Sequence, residues 1–458
     1  MRDPDRLVYF REDVGGLVFG GYERDPVPWS VRGVPADFNN RLLPPDWDRF
    51  LPLAEPAGRL VPAIVDAEVV RLVNGPEAFT PDGEFLLGET EVRGLHVAAG
   101  FCAHGIAGAG GVGKVAAERS RGRVVERATE VYATYYDVLY PNHERTSGRP
   151  LRVPAVVERH RALGAVFGEK AGWERVNWYA SNEDPAHEHF RPSGWSGRNW
   201  STAIVTEHLA TRATAGLFDE SSFSKLEVTG PGAADLLERC CANRVARGVG
   251  AVTYTQLLNT RAGIECDLTV TRQGNDRFFL VTGTAFGGHD ESWLQRHVRD
   301  DEPVSIRDVT SSRACFALWG PAARAILSPL TGDDLGFGYM AARPITVADV
   351  PLWALRVTYV GELGWELYAA PDLALHLWDA LVDAGTPHGL VPGGYRAIDS
   401  LRLEKGYRVW SSDITPDRDP LSAGLGFAVR TDKPGGFLGR DAVVRIAASP
   451  PSEVLCCL

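Results

Sequence analysis

The sequence predicts an α+β chain, and three observations carry that prediction. From about residue 201 onward, short strand-like runs interleave with amphipathic helical segments. Turn signals between the runs are of the kind that joins antiparallel neighbours. No internal repeat or low-complexity segment points to a solenoid, a propeller or a fibre.

The elements follow in order. Leu7 to Arg11 is strand-like, Gly15-Gly16 signals a hairpin, and Leu17 to Tyr22 returns. Asp46 to Leu53 has helical spacing, with Trp47, Phe50 and Leu51 on one side. Gly75-Pro76 and Pro81-Asp82-Gly83 break the next stretch into loops and short strands. Leu95 to Ala99 is a buried-strand candidate, followed by Gly-rich residues 105–113 and a helix over Lys114 to Arg121. Residues 122–140 read as helical; Tyr132, Tyr135, Tyr136, Leu139 and Tyr140 form an aromatic stripe better suited to a core than to a cofactor box. The rest of residues 121–200 reads as a connector rich in Arg, Trp and Pro. Beyond it, helices are expected over Ala203–Thr214, Ala233–Cys241 and Leu373–Ala384. Strands are expected over Phe223–Val228, Leu268–Arg272, Arg277–Thr282, Ala314–Trp319, Leu355–Val360 and Trp365–Ala369. The organisation expected is 1–120, a connector over 121–200, a domain over 201–447, and 448–458 as the start of something further.

Bulk properties narrow the class. The 458 residues carry a formal net charge of -11, which argues against nucleic acid as a partner, because phosphate binding needs clustered Lys and Arg. The Arg-rich stretch Arg119–Arg127 is interrupted by Glu126 and reads as a solvated helix face. Seven scattered Cys, including the adjacent pairs Cys240-Cys241 and Cys456-Cys457, match neither metal spacing nor a disulfide framework, which fits a reducing cytoplasm. The charged N-terminus lacks a signal-peptide core, and no apolar run is long enough to span a membrane.

Two motifs mislead. Gly108 to Gly113 matches Gly-x-Gly-x-x-Gly, but the helical pattern of 122–140 stands where a second strand and its acidic residue belong. Val115 stands where a phosphate loop needs Ser or Thr. What survives is a Gly-rich turn before a helix, whose free N–H groups suit an electron-rich ligand. His104 beside it is either a ligand contact or a satisfied buried histidine.

Three stretches carry the chemistry. In Leu257 to Val270, alternation puts Cys266, Leu268 and Val270 on one face and Asp267 and Thr269 on the other. Asp267 is then either a partly desolvated proton shuttle or a solvent-facing surface acid. In Arg356 to Tyr368, Trp365 and Leu367 share a face, and Glu366 and Tyr368 share the other. In Gly394 to Gly406, a helix closed by Gly406 carries Arg396, Asp399 and Arg402, with Ile398 and Leu401 facing the core.

Together these stretches resemble the glycine-cleavage T-protein (aminomethyltransferase) family, above all the folate-binding half of dimethylglycine and sarcosine dehydrogenases. Gly216–Phe223, Thr253–Asn259, Val281–Thr284 and Ala423–Phe427 add to the resemblance, which runs from about 205 to 447. Val73–Gly83, Ala98–Gly108, Tyr140–His143 and Gly172–Trp178 are similar to the last part of that family's FAD-dependent oxidoreductase half. The fold implied is a partial FAD-oxidoreductase remnant followed by an aminomethyltransferase-type domain.

The resemblance implies an activity: oxidative demethylation of a small-molecule N-methyl amine, with capture of the one-carbon unit as methylenetetrahydrofolate. Asp267 would be the catalytic carboxylate. Glu366 and Arg396 would bind tetrahydrofolate, with Tyr254, Thr282 and Gly283 lining the pocket, while His104 and Gly105 would touch flavin. The chain starts after the family's diphosphate-binding Gly-x-Gly-x-x-Gly turn, lacks the covalent flavin site, stops where a final β-barrel should start, and has Ser422 where relatives usually carry Glu. These departures leave room for a separate chain carrying the FAD-binding segment, for one part of a split enzyme, or for a non-catalytic folate-binding module.

Overall fold

The computed structural model describes every residue except 1, 14, 36–37, 39–40, 82, 84–85, 90–95, 100–120, 450–452 and 457–458. His104, Gly105, the Gly108–Gly113 turn and most of the helix expected from Lys114 therefore lie outside the described residues. The chain divides into two compact units, Met1–Arg149 and Pro150–Leu458.

In the first unit, β1 (Arg2–Asp3), β2 (Val8–Asp13) and β3 (Gly16–Gly21) form an antiparallel sheet in that order. The hairpin turns at Gly15, whose φ of 75° favours glycine. Helix α1 (Trp47–Leu60) continues past Leu53, where the sequence reading ends it. Pro52 and Pro56 each remove an N–H donor from α1. Packing compensates: Leu53 and Ala57 lie against Val8 and Phe10, and the Asp46 carboxylate caps the helix by accepting from the Arg49 N–H at 3.1 Å. Strands β4 (Leu86–Glu89) and β5 (His96–Ala99) pair antiparallel. Helix α2 (Arg121–Ala133) stops short of the 140 expected, because tighter turns close on the Tyr132 and Thr134 carbonyls. The Tyr22 ring sits 5.2, 5.0 and 4.9 Å from those of Tyr132, Tyr135 and Tyr136, so the aromatic stripe is packing, as its spacing suggests.

The second unit begins with α3 (Val157–Ala162), the hairpin β6 (Ala165–Lys170) and β7 (Trp173–Tyr179), and α4 (Ala203–Ala213). Next come β8 (Ala215–Asp219), β9 (Ser224–Thr229), α5 (Ala233–Cys240), β10 (Val252–Leu258), β11 (Ile264–Gly274), β12 (Arg277–Thr282), α6 (Gly287–Arg296) and β13 (Ser305–Asp308). Then follow β14 (Ala314–Trp319), α7 (Ala323–Leu327), β15 (Ala341–Val347), β16 (Val350–Arg356), β17 (Gly364–Ala369), α8 (Ala374–Gly385), β18 (Leu390–Gly393), α9 (Tyr395–Glu404) and α10 (Arg440–Ala447). Strand β16 ends at Arg356; the Val357–Val360 stretch, expected as its continuation, is loop, held in part by the Thr358 hydroxyl accepting from the Val360 and Gly361 N–H groups.

These strands build two sheets. One has the order β10-β11-β12-β9-β13, the other β15-β16-β17-β14-β8-β18. All pairs are antiparallel except β18, which runs parallel to β8. One face of the first sheet buries Leu226, Val228, Cys266, Leu268, Val270, Phe278 and Leu280 with α5. One face of the second buries Phe316, Leu318, Trp365 and Leu367 with α8. The remaining faces meet each other: Val252 and Phe279 of the first sheet pack with Cys315, Leu355 and Tyr368 of the second. Faces that alternation marks as polar therefore become an interior, and polar groups on them are desolvated.

The Glu207 carboxyl of α4 ties this frame together. It accepts from the Tyr179 N–H at 2.8 Å, Asn182 Nδ2 at 3.1 Å and the Gly394 N–H at 2.9 Å. Burial pushes its pKa up to about 7 against the pull of these donors. Gly394 is the residue before α9, and a Cβ there would lie 2.2 Å from the Asn177 carbonyl oxygen, so the same contact that positions α9 requires glycine. Glu207→Ala leaves the buried N–H donors unsatisfied; urea unfolding is expected to show a loss of about 3 kcal/mol.

Candidate active site

Asp267 stands on β11 on the face that meets the second sheet. Its cross-strand partner is Gln256 of β10, whose Nε2 donates to Asp267 Oδ1 at 2.9 Å. Tyr254 lies on the same face of β10 and also hydrogen-bonds the carboxyl. Burial nevertheless dominates and raises the Asp267 pKa to about 6. The Oε1 of Gln256 is buried without a hydrogen-bond partner, an acceptor directed at no protein donor. Phe427 lies over the Tyr254 ring at 6.1 Å, nearly parallel.

Glu366 projects from β17, on the face of the second sheet that meets the first. Tyr368, two residues on, donates its hydroxyl to Glu366 Oε2 at 2.6 Å. Three further groups gather here that the sequence reading does not single out. Oxygens of Glu220 and Glu366 and the Cys315 sulfur all lie within 4.8 Å of one another. Lys225 of β9 is wholly buried, and Nζ donates to the Ser221 carbonyl at 3.0 Å and the Phe223 carbonyl at 2.8 Å.

The crossover explains the cluster. β8 belongs to one sheet and β9 to the other, so Glu220–Phe223 passes between them and delivers Glu220 into the seam. The Glu220 N–H donates to the Cys315 carbonyl at 2.8 Å, and the Cys315 N–H donates to Ser221 Oγ at 3.1 Å. Burial raises both carboxyl pKa values, Glu220 well above the ordinary range with the Glu366 charge adding to it, while Lys225 favours their ionised forms. One ammonium among two carboxyls is balanced when Glu366 is ionised and Glu220 holds a proton.

Three tyrosines form a chain from the surroundings of Asp267 to those of Glu366. Tyr359 feels the Asp267 charge and stacks on Tyr407 at 5.9 Å, while Tyr339 feels both Tyr407 and Glu366. Arg396 sits half-buried on α9 beside Tyr395, whose hydroxyl is 3.0 Å from Ser222 Oγ and whose environment includes Glu220. Thr282 pairs with Leu268 and so belongs to the opposite face from Asp267; its Oγ1 lies 3.4 Å from the Asp267 carbonyl. Gly283 leaves room for the Phe286 ring, which a Cβ would meet at 2.7 Å.

The donor and acceptor types at these positions are those a flat polar heterocycle would need. Gln256 Oε1 and the Glu366 carboxylate accept N–H donors, Arg396 supplies donors, and the tyrosine rings offer faces. Lys225→Met should cost about 3 kcal/mol at pH 8, because it leaves buried carboxyl charge without its counter-ion. The raised pKa values fix the sign of the pH effect: the loss is largest above them and shrinks as pH falls toward the ordinary glutamate value of 4.5. Unfolding at both pH values measures it.

Residues 156–433, more than half of the chain, match the family model described as GCVT N-terminal domain. Residues 1–119 match an FAD dependent oxidoreductase model, and 117–153 its central domain. The chain is 37% identical to 4-methylaminobutanoate oxidase (formaldehyde-forming) of Paenarthrobacter nicotinovorans, across 99% of this chain and 58% of that protein. It is 32% identical to mitochondrial dimethylglycine dehydrogenase of Rattus norvegicus, across 100% of this chain and 57% of that protein. The chain thus spans a little over half the length of these relatives. The crystal structure of glycine cleavage system aminomethyltransferase T from Bartonella henselae superposes with a TM-score of 0.56 at 30% identity, covering 66% of this chain and 76% of that one.

Proposed function

The chain belongs to the glycine-cleavage T-protein (aminomethyltransferase) family, and from that premise we propose that its second unit binds tetrahydrofolate and transfers to it a one-carbon unit drawn from an N-methyl amino acid. The observation that carries the reading is the seam between the sheets. It holds a desolvated acid with a pKa of about 6, an orphaned amide acceptor and a counter-charged carboxylate.

Each group has a task. Glu366, whose ionised form Lys225 favours, accepts paired N–H donors from a pterin edge. Gln256 fixes the Asp267 carboxyl, and its free Oε1 accepts a further donor. Arg396 supplies N–H donors to a carbonyl or carboxylate acceptor. Transfer joins the oxidised carbon to two folate nitrogens and breaks both bonds of its carbon–nitrogen double bond to the departing amine. Each of the two folate nitrogens gives up a proton; the departing amine takes one and the other passes to solvent. An acid with a pKa of about 6 exchanges protons readily near neutrality, and Asp267 is that acid. A flavin, when bound, supplies the two-electron oxidation of the N-methyl amine; its candidate contacts, His104 and Gly105, lie outside the described residues. The product is methylenetetrahydrofolate.

A second reading has a specific motive, the formaldehyde-forming relative. In it the one-carbon unit leaves as formaldehyde and folate only accepts it when available. Assays of oxidised N-methyl substrate with and without tetrahydrofolate separate the two: product partition toward methylenetetrahydrofolate supports the first.

Calorimetric titration with tetrahydrofolate tests binding, and an absence of heat at millimolar ligand would remove the proposal. Asp267→Asn should lower the transfer rate by about 100-fold or more while changing folate affinity less than about tenfold. The wild-type rate should rise with pH through a midpoint near 6 and the variant's should not. The same substitution removes a desolvated charge. A carboxyl with a raised folded pKa destabilises the fold above that pKa, so Asp267→Asn should be more stable than wild type at pH 8 by about 1 kcal/mol and show no such gain near pH 4.

A further inference from the structure

On the other face of β11, directly behind Asp267, a second cluster has no part in the proposed transfer. Cys266 is buried in the core between the first sheet and its helices, and His289 and Asp290 come from α6. The Cys266 sulfur, His289 Nδ1 and an Asp290 carboxylate oxygen all lie within 4.8 Å of one another. Individual contacts are 4.0 Å from Cys266 Sγ to His289 Nδ1 and 2.9 Å from His289 Nδ1 to Asp290 Oδ1.

Asp290 is 1% exposed, yet its Oδ2 has no hydrogen-bond partner. A buried carboxylate oxygen left in that state is destabilising. The Cys266 thiol is a donor toward the Asp290 carboxyl, but a weak one. His289 Nδ1 either carries a proton, which it donates to Asp290 Oδ1, or offers a lone pair; it does not do both. The thiol lies at the outer limit of contact with the ring.

We propose that Cys266, His289 and Asp290 bind a borderline-soft divalent cation of the zinc class. A cation between them gives a partner to each group at once: a thiolate, the Nδ1 lone pair and the carboxylate. The donor set selects the ion. Thiolate with imidazole suits Zn²⁺ or Co²⁺, and an all-oxygen cage for Mg²⁺ or Ca²⁺ is not what these residues offer. Zinc bonds of about 2.3 Å to sulfur and about 2.0 Å to nitrogen place donor atoms about 3.5 Å apart, so the sulfur closes on the ring from 4.0 Å and the carboxylate oxygen opens from 2.9 Å. The ring of His289 is 37% exposed, which gives an ion a way in, and water completes the coordination. Glu265 Oε2 lies 3.9 Å from His289 Nε2 on the ring's outer side, while Trp410 packs at 5.7 Å. The bound ion fastens α6 to β11.

The test uses the full chain, stripped with a chelator and titrated with Co²⁺. The expected result is one equivalent bound, with a thiolate-to-cobalt charge-transfer band in the near ultraviolet that Zn²⁺ abolishes by displacement. Cys266→Ser should lose that band and at least about 100-fold in affinity, and His289→Ala should weaken both. Asp267→Asn should bind Co²⁺ as the wild type does, which separates this site from the folate site. Absence of the band in the wild type, or its persistence in Cys266→Ser, overturns the proposal. Circular dichroism checks each fold; if Cys266→Ser fails to fold, His289→Ala decides, and an undiminished band in it is equally fatal.

Discussion

Two β-sheets that press their polar faces together must neutralise what they bury, and for Glu220 and Glu366 the Lys225 ammonium does so. Lys225 has no exposed surface and stands within electrostatic reach of Asp219, Glu220, Glu366 and Cys315. Without it the seam would hold carboxyl groups alone, and each would take up a proton. With it, the ionised forms of Glu220 and Glu366 are favoured in a setting of low dielectric, where a charge is felt strongly. The backbone serves the same end, since two carbonyls turn inward to hold the ammonium. The short crossover from β8 to β9 is what places all of these groups within a few residues of one another in space.

Much of the fold was legible in the sequence because it follows from alternation and from helical spacing. Arg277–Thr282 and Ala314–Trp319 are strands with the bounds that their residues suggest, and Gly406 ends α9 with a φ of 66°. The faces of β11 and β17 were legible too: Cys266, Leu268 and Val270 share one core, and Glu366 bonds Tyr368 across two residues. Legibility stops where tertiary contact overrides a local rule. Helix α1 keeps two prolines where Leu53 and Ala57 pack against Val8 and Phe10, and Val357–Val360 leaves the sheet to turn toward the site.

The cluster around Lys225 was not legible, and the reason is physical. Alternation puts Lys225 on the same face as Glu227, which reads as solvent-facing. Only the arrival of a second sheet converts that face into interior, and the residues that do so come from β14 and β17, about a hundred or more positions later in the chain. Glu220 was hidden for the same reason, in a loop whose importance lies in joining different sheets. A lysine flanked by buried residues, five and six residues after the acid pair Glu220 and Asp219, is the signal that was available. Cys266 likewise read as an ordinary apolar side chain, since nothing near it in sequence announces His289 and Asp290.

The parallel strand β18 sets the order of events when the protein is made. β8 lies between β14 and β18, and β18 follows it by some 170 residues. Lys433, later still, donates to the Cys241 and Asn243 carbonyls and so pins the first sheet from the far end of the unit. A nascent chain emerging from the ribosome therefore exposes β8 with one flank bare until the last third of the unit has been synthesised. Such delayed long-range pairing slows folding and leaves an edge open to wrong partners. Expression at lower temperature or with chaperones in excess suits a topology of this kind, and the yield of folded material is governed by how long that edge waits.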